Sequence, residues 1–217
     1  MGTSVIKTRD RRRFRRRLLR WASDHYPHYP WRERSDVYSV LVAEILLQRT
    51  GRRRVIPVYE EVIGRWPDAA SLAGARPSAV AKILSPLGLR KRADLLIGMA
   101  RALSGSSREP RSVDDFARLP GVGRYGAHAA AVFALNENLP VVDGIVGRVL
   151  RRYFGLDGPR LTARDEPLWA LAEDLASEGD ARSLWFGVLD FADEICRPRP
   201  LCARCPLISG CAHSELS

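Results

Sequence analysis

The chain lacks the features that would place it in a membrane or outside the cell. None of its apolar runs approaches the roughly 20 residues that a transmembrane helix needs, and no signal peptide opens the sequence. Internal repeats are missing, and an arginine run near the start is the only biased segment. We therefore expect a cytoplasmic protein that does not contact membranes.

Lysine is scarce even though the chain is strongly basic. The 217 residues include 35 basic and 25 acidic ones, a net charge of +10, and only Lys7, Lys82 and Lys91 are lysines. The planar guanidinium of arginine suits phosphate, so nucleic acid is a favoured class of partner. A coding sequence rich in G and C would produce the same arginine bias, and composition alone leaves both explanations open.

The arginine run lies in a segment that predicts an amphipathic helix. Phe14, Leu18 and Trp21 recur at helical spacing within residues 9–22, so one apolar stripe faces the core. The opposite face is either an ordinary solvated surface or a nucleic-acid contact. Both interpretations stay open on the sequence alone.

The stretch from Leu119 to Gly155 contains a glycine-rich turn and, after it, a capped helix. Gly121 and Gly123 permit a tight turn after a short helix, and a second helix is predicted to begin at Arg124. Amide groups at the start of that helix can hold a phosphate, although many such turns serve turn geometry alone. Further along, Asp143 is placed to cap a third helix.

The letters LPGVGRYGA, followed further along by VDGIVGRVL, resemble the helix-hairpin-helix and Gly/Pro-Asp motif of the endonuclease III and MutY superfamily of DNA glycosylases. The resemblance runs from Tyr29 to Cys211. It implies an all-α fold of two lobes with a C-terminal iron-sulfur cluster loop. Residues 35–142 would form a six-helix barrel that carries the hairpin. Residues 1–34 would join residues 143–217 in the cluster domain, with DNA across the groove between the lobes.

A nearly all-apolar segment, residues 36–50, predicts a buried helix that Asp36 caps. Its one internal charge, Glu44, lies either on a solvent-facing side or in an apolar pocket that favours the protonated form and lets it deliver a proton. The resemblance implies the pocket. It also implies that Gln48, one turn further on, enters the space that the extruded base vacates. Arg49 stands where MutY-type enzymes carry a second glutamine.

The resemblance places the other DNA contacts in two turns. In the turn LGLRKR, it implies that Leu89 is an apolar wedge and that the three cations after it lie near phosphates. In the hairpin, the backbone amides are the implied phosphate ligands. The complete set of expected DNA-binding residues is Gln48, Leu89, Arg90, Lys91, Arg92, Gly121, Val122, Gly123 and Arg124.

The expected catalytic residues are Asp143, Glu44 and Tyr125. Cutting an N-glycosidic bond requires a flipped-out nucleotide, stabilisation of an oxocarbenium-like sugar, and a water that loses a proton. The Asp143 carboxylate suits the last two tasks. Superfamily members that also nick DNA carry a lysine where Tyr125 stands, and its amine forms a Schiff base. A phenol cannot, so we expect a monofunctional glycosylase with little lyase activity.

Four cysteines, Cys196, Cys202, Cys205 and Cys211, lie within sixteen residues near the end of the chain, with no histidine between them. Disulfides are rare in the cytosol, and a zinc ribbon usually shows two CxxC pairs where this segment has one. A [4Fe-4S] cluster is therefore favoured over zinc, and zinc over paired or free thiols. The resemblance implies the same cluster, although the first gap is one residue shorter than in the family pattern.

The expected substrate is double-stranded DNA with a mismatched or damaged base, bound by a monomer at the nucleoid. Tyr125, the Leu-Gly-Leu turn, and a chain that ends soon after Cys211 favour thymine or uracil opposite guanine. Gln48 and the Asp143-Gly144 pair resemble MutY and keep adenine opposite guanine, or opposite oxidised guanine, as the alternative. A non-catalytic iron-sulfur protein that binds DNA is the alternative from another class.

Overall fold

The computed structural model of the chain describes residues 6–48, 50–159 and 161–215. Arg49 lies outside these ranges. The described residues form helices joined by loops and 3₁₀ turns, without a β-strand, which confirms the all-α fold class. None of the described helices combines the length and apolar character that crossing a bilayer requires.

Eleven α-helices follow one another along the described ranges. They are α1 Thr8–Asp24, α2 Val37–Leu47, α3 Arg52–Arg65, α4 Ala69–Ala73, α5 Pro77–Leu84, α6 Ala93–Ser104, α7 Val113–Ala117, α8 Arg124–Leu135, α9 Gly144–Phe154, α10 Glu166–Ala176 and α11 Ala181–Glu194.

Side-chain caps determine where several helices begin. The Asp36 carboxylate accepts a hydrogen bond from the amide of Ser39 at 2.8 Å, and α2 begins at Val37, as the sequence predicts. Asp68 and Ser71 form a reciprocal capping box at the start of α4. Short polar side chains thus satisfy amides that have no acceptor within the helix.

Pro57 lies inside α3 and not at its start. Proline suits the first position of a helix, but the observed helix begins earlier, at Arg52. Proline inside a helix forgoes one backbone hydrogen bond. Val55 and Val58, which flank the proline, are buried and anchor this part of α3 in the core.

The chain divides into two compact units. One, which we call the continuous unit, comprises residues 28–135, and the other, the split unit, comprises residues 1–27 and 136–217. The sequence placed the corresponding boundaries after residues 34 and 142. The observed division assigns α2 to α8 to the continuous unit, and α1 and α9 to α11 to the split unit.

The core of the continuous unit is built around α2. Every α2 side chain except those of Glu44 and Leu47 is buried, and the helix packs against α3, α6 and α8. The Tyr38 hydroxyl donates a hydrogen bond of 2.7 Å to the carbonyl oxygen of Trp66, so its polar end is satisfied in the interior. A helix that is apolar on nearly all sides is typical of such a central position.

The split unit joins the two ends of the chain. Helix α1 packs against α10 and α11, and the buried Arg15 guanidinium donates hydrogen bonds to the carbonyl oxygens of Leu175, at 3.2 Å, and Gly179. Arg17 donates to the carbonyl oxygen of Ser209 at 2.7 Å. Two members of the arginine run are therefore structural anchors.

The aromatic side chains of α11 belong to the core. Trp185, Phe186 and Phe191 are buried. The Trp185 indole nitrogen donates a hydrogen bond of 2.8 Å to the Leu139 carbonyl oxygen, and Trp21 packs edge-on against Phe191 with ring centroids 5.3 Å apart. The contact between Trp21 and Phe191 joins α1 to α11.

Candidate functional site

The end of α2 presents two polar side chains that the sequence singled out. Glu44 is partly exposed, whereas its helical neighbours Val40 and Leu41 are buried. Gln48, which ends the helix, is exposed. The two polar residues are one turn apart and therefore share a face. The Glu44 carboxylate thus lies at the edge of the apolar core and not on a fully solvated side.

A single arginine holds the last turn of α2. The Arg92 guanidinium donates hydrogen bonds to the carbonyl oxygens of Ile45 at 2.8 Å and Gln48 at 2.9 Å. Carbonyls at the end of a helix have no amide partner within it, and a cation there also opposes the negative end of the helix dipole. Sequence reasoning assigned Arg92 to phosphates and missed this role.

The Gln48 side chain links α2 to the helix-hairpin-helix turn. Its amide nitrogen donates a long hydrogen bond of 3.4 Å to the carbonyl oxygen of Gly121. Helix α2 also packs against α8, which follows the turn. The structure therefore brings together Gln48, Arg92 and Gly121, which come from three separate sequence motifs.

The turn between α7 and α8 has the backbone that its glycines predict. Gly121 has φ +80°, which favours glycine, and a β-carbon there would lie 2.7 Å from the Leu95 side chain. Gly123 is exposed, and a β-carbon there would meet nothing within 4 Å. Between them, Val122 is buried, and its amide donates to the Leu119 carbonyl at 3.1 Å. The valine anchors the turn and leaves both glycines at the surface.

Helix α8 begins at Arg124, as the sequence predicts, directly after the exposed Gly123. Amides at the start of a helix lack acceptors within it, and the helix dipole is positive there. This end of α8 can therefore bind an anion such as a phosphate. Tyr125, the second residue of the helix, is partly buried beside the turn.

The other predicted DNA-contact turn lies between α5 and α6. The Arg54 guanidinium donates a hydrogen bond of 2.8 Å to the carbonyl oxygen of Pro86 and so supports the turn. Leu89 is partly buried, and Arg90 and Lys91 are exposed. Exposed cations suit phosphate, as the sequence proposed. The sequence did not predict this role of Arg54, because nothing distinguishes it from the two arginines that precede it.

Asp143 is the N-cap of α9 in the split unit, as the sequence predicts. Its Oδ1 atom accepts hydrogen bonds from the amides of Ile145 at 2.8 Å and Val146 at 2.7 Å. Both bonds use the same oxygen, so the cap orients the carboxylate through one of its two oxygen atoms. The residue is partly exposed. A fixed negative charge beside solvent is the arrangement that proton transfer from water requires.

The four cysteines line one cavity of the split unit. Apolar side chains make up much of the remaining lining, among them Phe14, Val149, Phe191, Ile195 and Leu207. Tyr153 also lines this cavity, and its hydroxyl is buried without a hydrogen-bond partner among the described residues. A buried hydroxyl without a partner is costly unless a bound group accepts its hydrogen bond.

The arrangement of the cysteines can be compared with what zinc and an iron-sulfur cluster each require. Within the described parts of the chain, no three Cys, His, Asp or Glu side chains are arranged to hold one ion. Zinc would need its sulfur ligands at about 2.3 Å. An iron-sulfur cluster accepts four thiolates that are further apart. The lining therefore fits a cluster better than zinc.

Burial disfavours the charged thiolates in this loop. It raises the pKa of Cys205 to about 11 and also raises the pKa of Cys211, and the neighbouring cysteines add to both shifts. Binding of a soft metal centre would therefore release protons. Arg152 supports the loop, because it lies 3.6 Å from the Cys196 sulfur and donates a hydrogen bond of 2.6 Å to the Arg197 carbonyl oxygen.

Known proteins resemble this chain over most of its length. Residues 42–173 match the family model of the HhH-GPD superfamily base excision DNA repair proteins. A thymine-DNA glycosylase of Aeropyrum pernix is 35% identical over 211 residues, which cover 92% of this chain and 93% of the relative. A thymine/uracil-DNA glycosylase of Methanothermobacter thermautotrophicus is 33% identical over 202 residues, which cover 91% of each protein.

Adenine DNA glycosylases match as well, over part of their length. That of Buchnera aphidicola is 32% identical over 191 residues, which cover 86% of this chain but 55% of the relative. Among solved structures, a thermostable thymine-DNA glycosylase has a TM-score of 0.88 and 32% identity, with 96% of this chain and 98% of that one covered.

The sequence motifs and the comparisons with known proteins indicate the same family. An endonuclease III bound to DNA in a trapped covalent intermediate has a TM-score of 0.78 at 19% identity, covers 97% of this chain and 99% of its own, and shows the shared fold. The family match includes the end of α2, both turns and the Asp143 cap. This chain therefore belongs to the HhH-GPD superfamily of base excision DNA repair proteins.

Proposed function

We propose that this protein is a DNA N-glycosylase that removes thymine or uracil mispaired with guanine and leaves an abasic site. The observation that carries the proposal is Asp143, a carboxylate that two amide hydrogen bonds hold at the start of α9. It occurs in a chain whose likeness to thymine-DNA and thymine/uracil-DNA glycosylases extends over more than nine tenths of its length.

Asp143 supplies charge and a proton acceptor to the reaction. When the N-glycosidic bond breaks, its electron pair leaves with the base, and the deoxyribose gains oxocarbenium character. The carboxylate opposes this positive charge. Water then forms the new bond to the sugar carbon, and the proton that it loses passes to Asp143. The nucleotide must first leave the base stack, because the bond is inaccessible within the duplex.

Tyr125 supports a reaction that stops at the abasic site. Strand cleavage by the lyase route needs an amine that attacks the sugar and forms an imine. The phenol of Tyr125 has no such nitrogen. The abasic sugar should therefore survive until alkali or a second enzyme cuts the strand.

The end of α2 is the proposed site of base extrusion. Gln48 is exposed where α2 meets the hairpin turn, and Arg92 and Gly121 contact it from two other segments. A side chain that is held in this way can fill the space that a flipped nucleotide leaves. The role of Glu44 depends on the base. A pyrimidine can leave as its anion without ring protonation, whereas adenine needs a proton on a ring nitrogen.

Adenine opposite guanine or oxidised guanine is the second candidate substrate. The similarity to adenine DNA glycosylases, at 32% identity with that of Buchnera aphidicola, favours it. Gln48 and the Asp143-Gly144 pair are also MutY-like. If adenine is the substrate, Glu44→Gln should abolish excision, whereas removal of thymine or uracil should fall much less.

We propose that Cys196, Cys202, Cys205 and Cys211 hold a [4Fe-4S] cluster. The observation in favour is the single cavity that all four line. A bound cluster would supply thiolate cross-links between α11 and the C-terminal loop and so order that part of the chain. The proposed chemistry at the sugar uses Asp143 alone.

A panel of duplexes tests the activity. Duplexes with T:G, U:G, A:G, A opposite oxidised guanine, and oxidised pyrimidines are incubated with excess enzyme, and strand breaks are read with and without alkali. We expect breaks for T:G and U:G only after alkali. Breaks that appear without alkali would overturn the monofunctional assignment. Preferential cutting of adenine duplexes would establish the second candidate.

The variant Asp143→Asn separates catalysis from binding. Asparagine can cap α9 as well as aspartate can, but it has no charge and accepts no proton from water. We expect excision to disappear while duplex affinity is kept. Retained turnover would remove Asp143 from the mechanism. Complete inactivity of the native protein, combined with tight duplex binding, would indicate a non-catalytic DNA-binding protein.

A further inference from the structure

Three exposed arginines of α1 have no structural role within the described protein. The guanidinium groups of Arg9, Arg16 and Arg20 form no hydrogen bond or ion pair with any described residue. By contrast, Arg15 and Arg17 bind backbone carbonyl oxygens elsewhere in the split unit. The arginine run is thus divided into members that hold α1 in place and members whose guanidinium groups face solvent.

The solvent-facing members lie on one side of α1. At about 100° per residue, Arg9, Arg16 and Arg20 fall within roughly 40° of one another, and they lie opposite the buried Phe14 and Leu18. Arg12 and Arg13 continue the same side, and with Thr8, Arg9 and Arg16 they line a shallow surface depression. We call Arg9, Arg16 and Arg20 the α1 stripe.

The positive charges of the α1 stripe destabilise the helix that carries them. Arg16 and Arg20 are four residues apart, as are Arg12 and Arg16, and like charges at this spacing repel. Arg9 and Arg12 also lie near the positive end of the helix dipole, where cations are unfavourable. Within the part of the chain that the structure describes, only Arg12 among Arg9, Arg12, Arg16 and Arg20 has an acidic partner, Glu178, at 3.6 Å. A surface that repels itself in the free protein is stabilised when a polyanion covers it.

The length of the stripe suits a nucleic-acid backbone. From Arg9 to Arg20 the helix rises about 16 Å, which corresponds to about five base-pair steps of a duplex. Planar guanidinium groups bind phosphate oxygens in pairs and need no particular base sequence. Acidic protein surfaces are a poorer match, because their charges rarely follow such a regular line.

We propose that the α1 stripe is a second binding surface for the phosphate backbone of duplex DNA, separate from the hairpin turn and α2. The proposal takes its partner from the proposed function and adds a surface that the base-excision chemistry does not require. The stripe would strengthen binding to any duplex, with or without a lesion. It would therefore keep the protein bound to DNA while it searches for a mispaired base.

The salt dependence of binding to undamaged duplex tests this proposal. The variant Arg9→Gln/Arg16→Gln/Arg20→Gln removes three charges from the stripe. The control Arg65→Gln/Arg76→Gln/Arg111→Gln removes three exposed charges from the continuous unit. Dissociation constants are measured by fluorescence anisotropy over a series of salt concentrations. We expect the slope of log affinity against log salt to fall by about two to three for the stripe variant and by less than one for the control.

Excision provides the second measurement. Because the stripe takes no part in the chemistry, single-turnover excision at saturating enzyme should be unchanged, and the melting temperature should be unchanged or higher since like charges are removed. Equal salt slopes for the stripe variant and the native protein would overturn the proposal. Loss of excision with an unchanged slope would also overturn it. If the native protein excises nothing, the proposed function fails, while the slopes still decide whether the stripe binds DNA.

Discussion

The guanidinium of Arg92 donates a hydrogen bond of 2.9 Å to the backbone carbonyl oxygen of Gln48. The Gln48 side chain in turn donates to the carbonyl oxygen of Gly121 in the hairpin turn. Arg92 therefore fixes the backbone of a residue whose side chain touches another DNA-contact segment. A change at Arg92 should move Gln48 even though Arg92 itself need not touch the base.

We expect Arg92→Ala to slow excision about tenfold or more at saturating enzyme, because small displacements of a positioning residue cost rate disproportionately. Two hydrogen bonds are lost, so the free energy of unfolding should also fall by about 1–2 kcal/mol. Arg90→Ala is the matched control from the same turn. It should weaken duplex affinity and reduce the salt slope by about one, with no effect on the saturated rate. A reduced salt slope with an unchanged rate for Arg92→Ala would show that phosphate binding is its main task.

Substitutions at Asp143 should separate its two roles. Asp143→Asn keeps a capping side chain, so the melting temperature should change little while excision falls by about 10²-fold or more. Asp143→Ala also removes the cap and should cost about 1 kcal/mol of stability in addition. Thermal unfolding and single-turnover excision, measured on both variants, give the two effects independently. Similar excision by Asp143→Asn and the native protein would contradict the proposed chemistry.

A lysine in place of Tyr125 should create an imine. Borohydride reduction of the native protein with an abasic duplex is expected to trap no covalent complex. Tyr125→Lys places an amine at the second residue of α8, and reduction should then link protein and DNA. Tyr125→Phe is the control and should form none. Trapping by the native protein would mean that another amine reaches the sugar.

The two hairpin glycines should differ in what they contribute. Gly121→Ala introduces a β-carbon 2.7 Å from Leu95 at a residue with φ +80°, so we expect a loss of about 1–3 kcal/mol of stability. Gly123→Ala meets no atom within 4 Å and should leave stability unchanged. Its methyl group would nonetheless crowd the amides at the start of α8, so duplex affinity should fall. Unaltered affinity of Gly123→Ala would argue against a phosphate at this position.

Metal analysis should distinguish a cluster from zinc at the cysteine cavity. Protein that is purified without oxygen is expected to contain iron and acid-labile sulfide in equal amounts and to show visible absorbance. Cys205→Ser should lower both contents and the melting temperature, since it removes one of four cross-links. Stoichiometric zinc in a colourless protein would contradict the cluster.

The features that the sequence could predict are those determined by interactions between neighbouring residues. The apolar run after Asp36 permits little except a buried capped helix, and α2 begins where the cap requires. Gly121 and Gly123 likewise specify a turn, and Asp143 specifies the start of α9. In each case the residues that decide the structure are neighbours in sequence, so their pattern is visible without the fold.

The partners of the arginines could not be predicted in this way. Arg15, Arg54 and Arg92 each bind a backbone carbonyl that lies far away in sequence, and a carbonyl has no residue signature. A long guanidinium side chain serves a helix end, a turn or a phosphate equally well. Pro57 shows the reverse case, because a local preference for the first helical position was overridden by the burial of its neighbours.

The division of the chain into two units has a consequence for its folding during synthesis on the ribosome. The continuous unit is complete once Leu135 has emerged, so it can fold while synthesis continues. Helix α1 is translated before the continuous unit, but Arg15 and Arg17 can bind their carbonyl partners only after 160 or more further residues have been translated. Helix α1 is therefore among the last segments to pack, and a nascent chain that stalls before the cysteine loop would leave α1 without its packing partners.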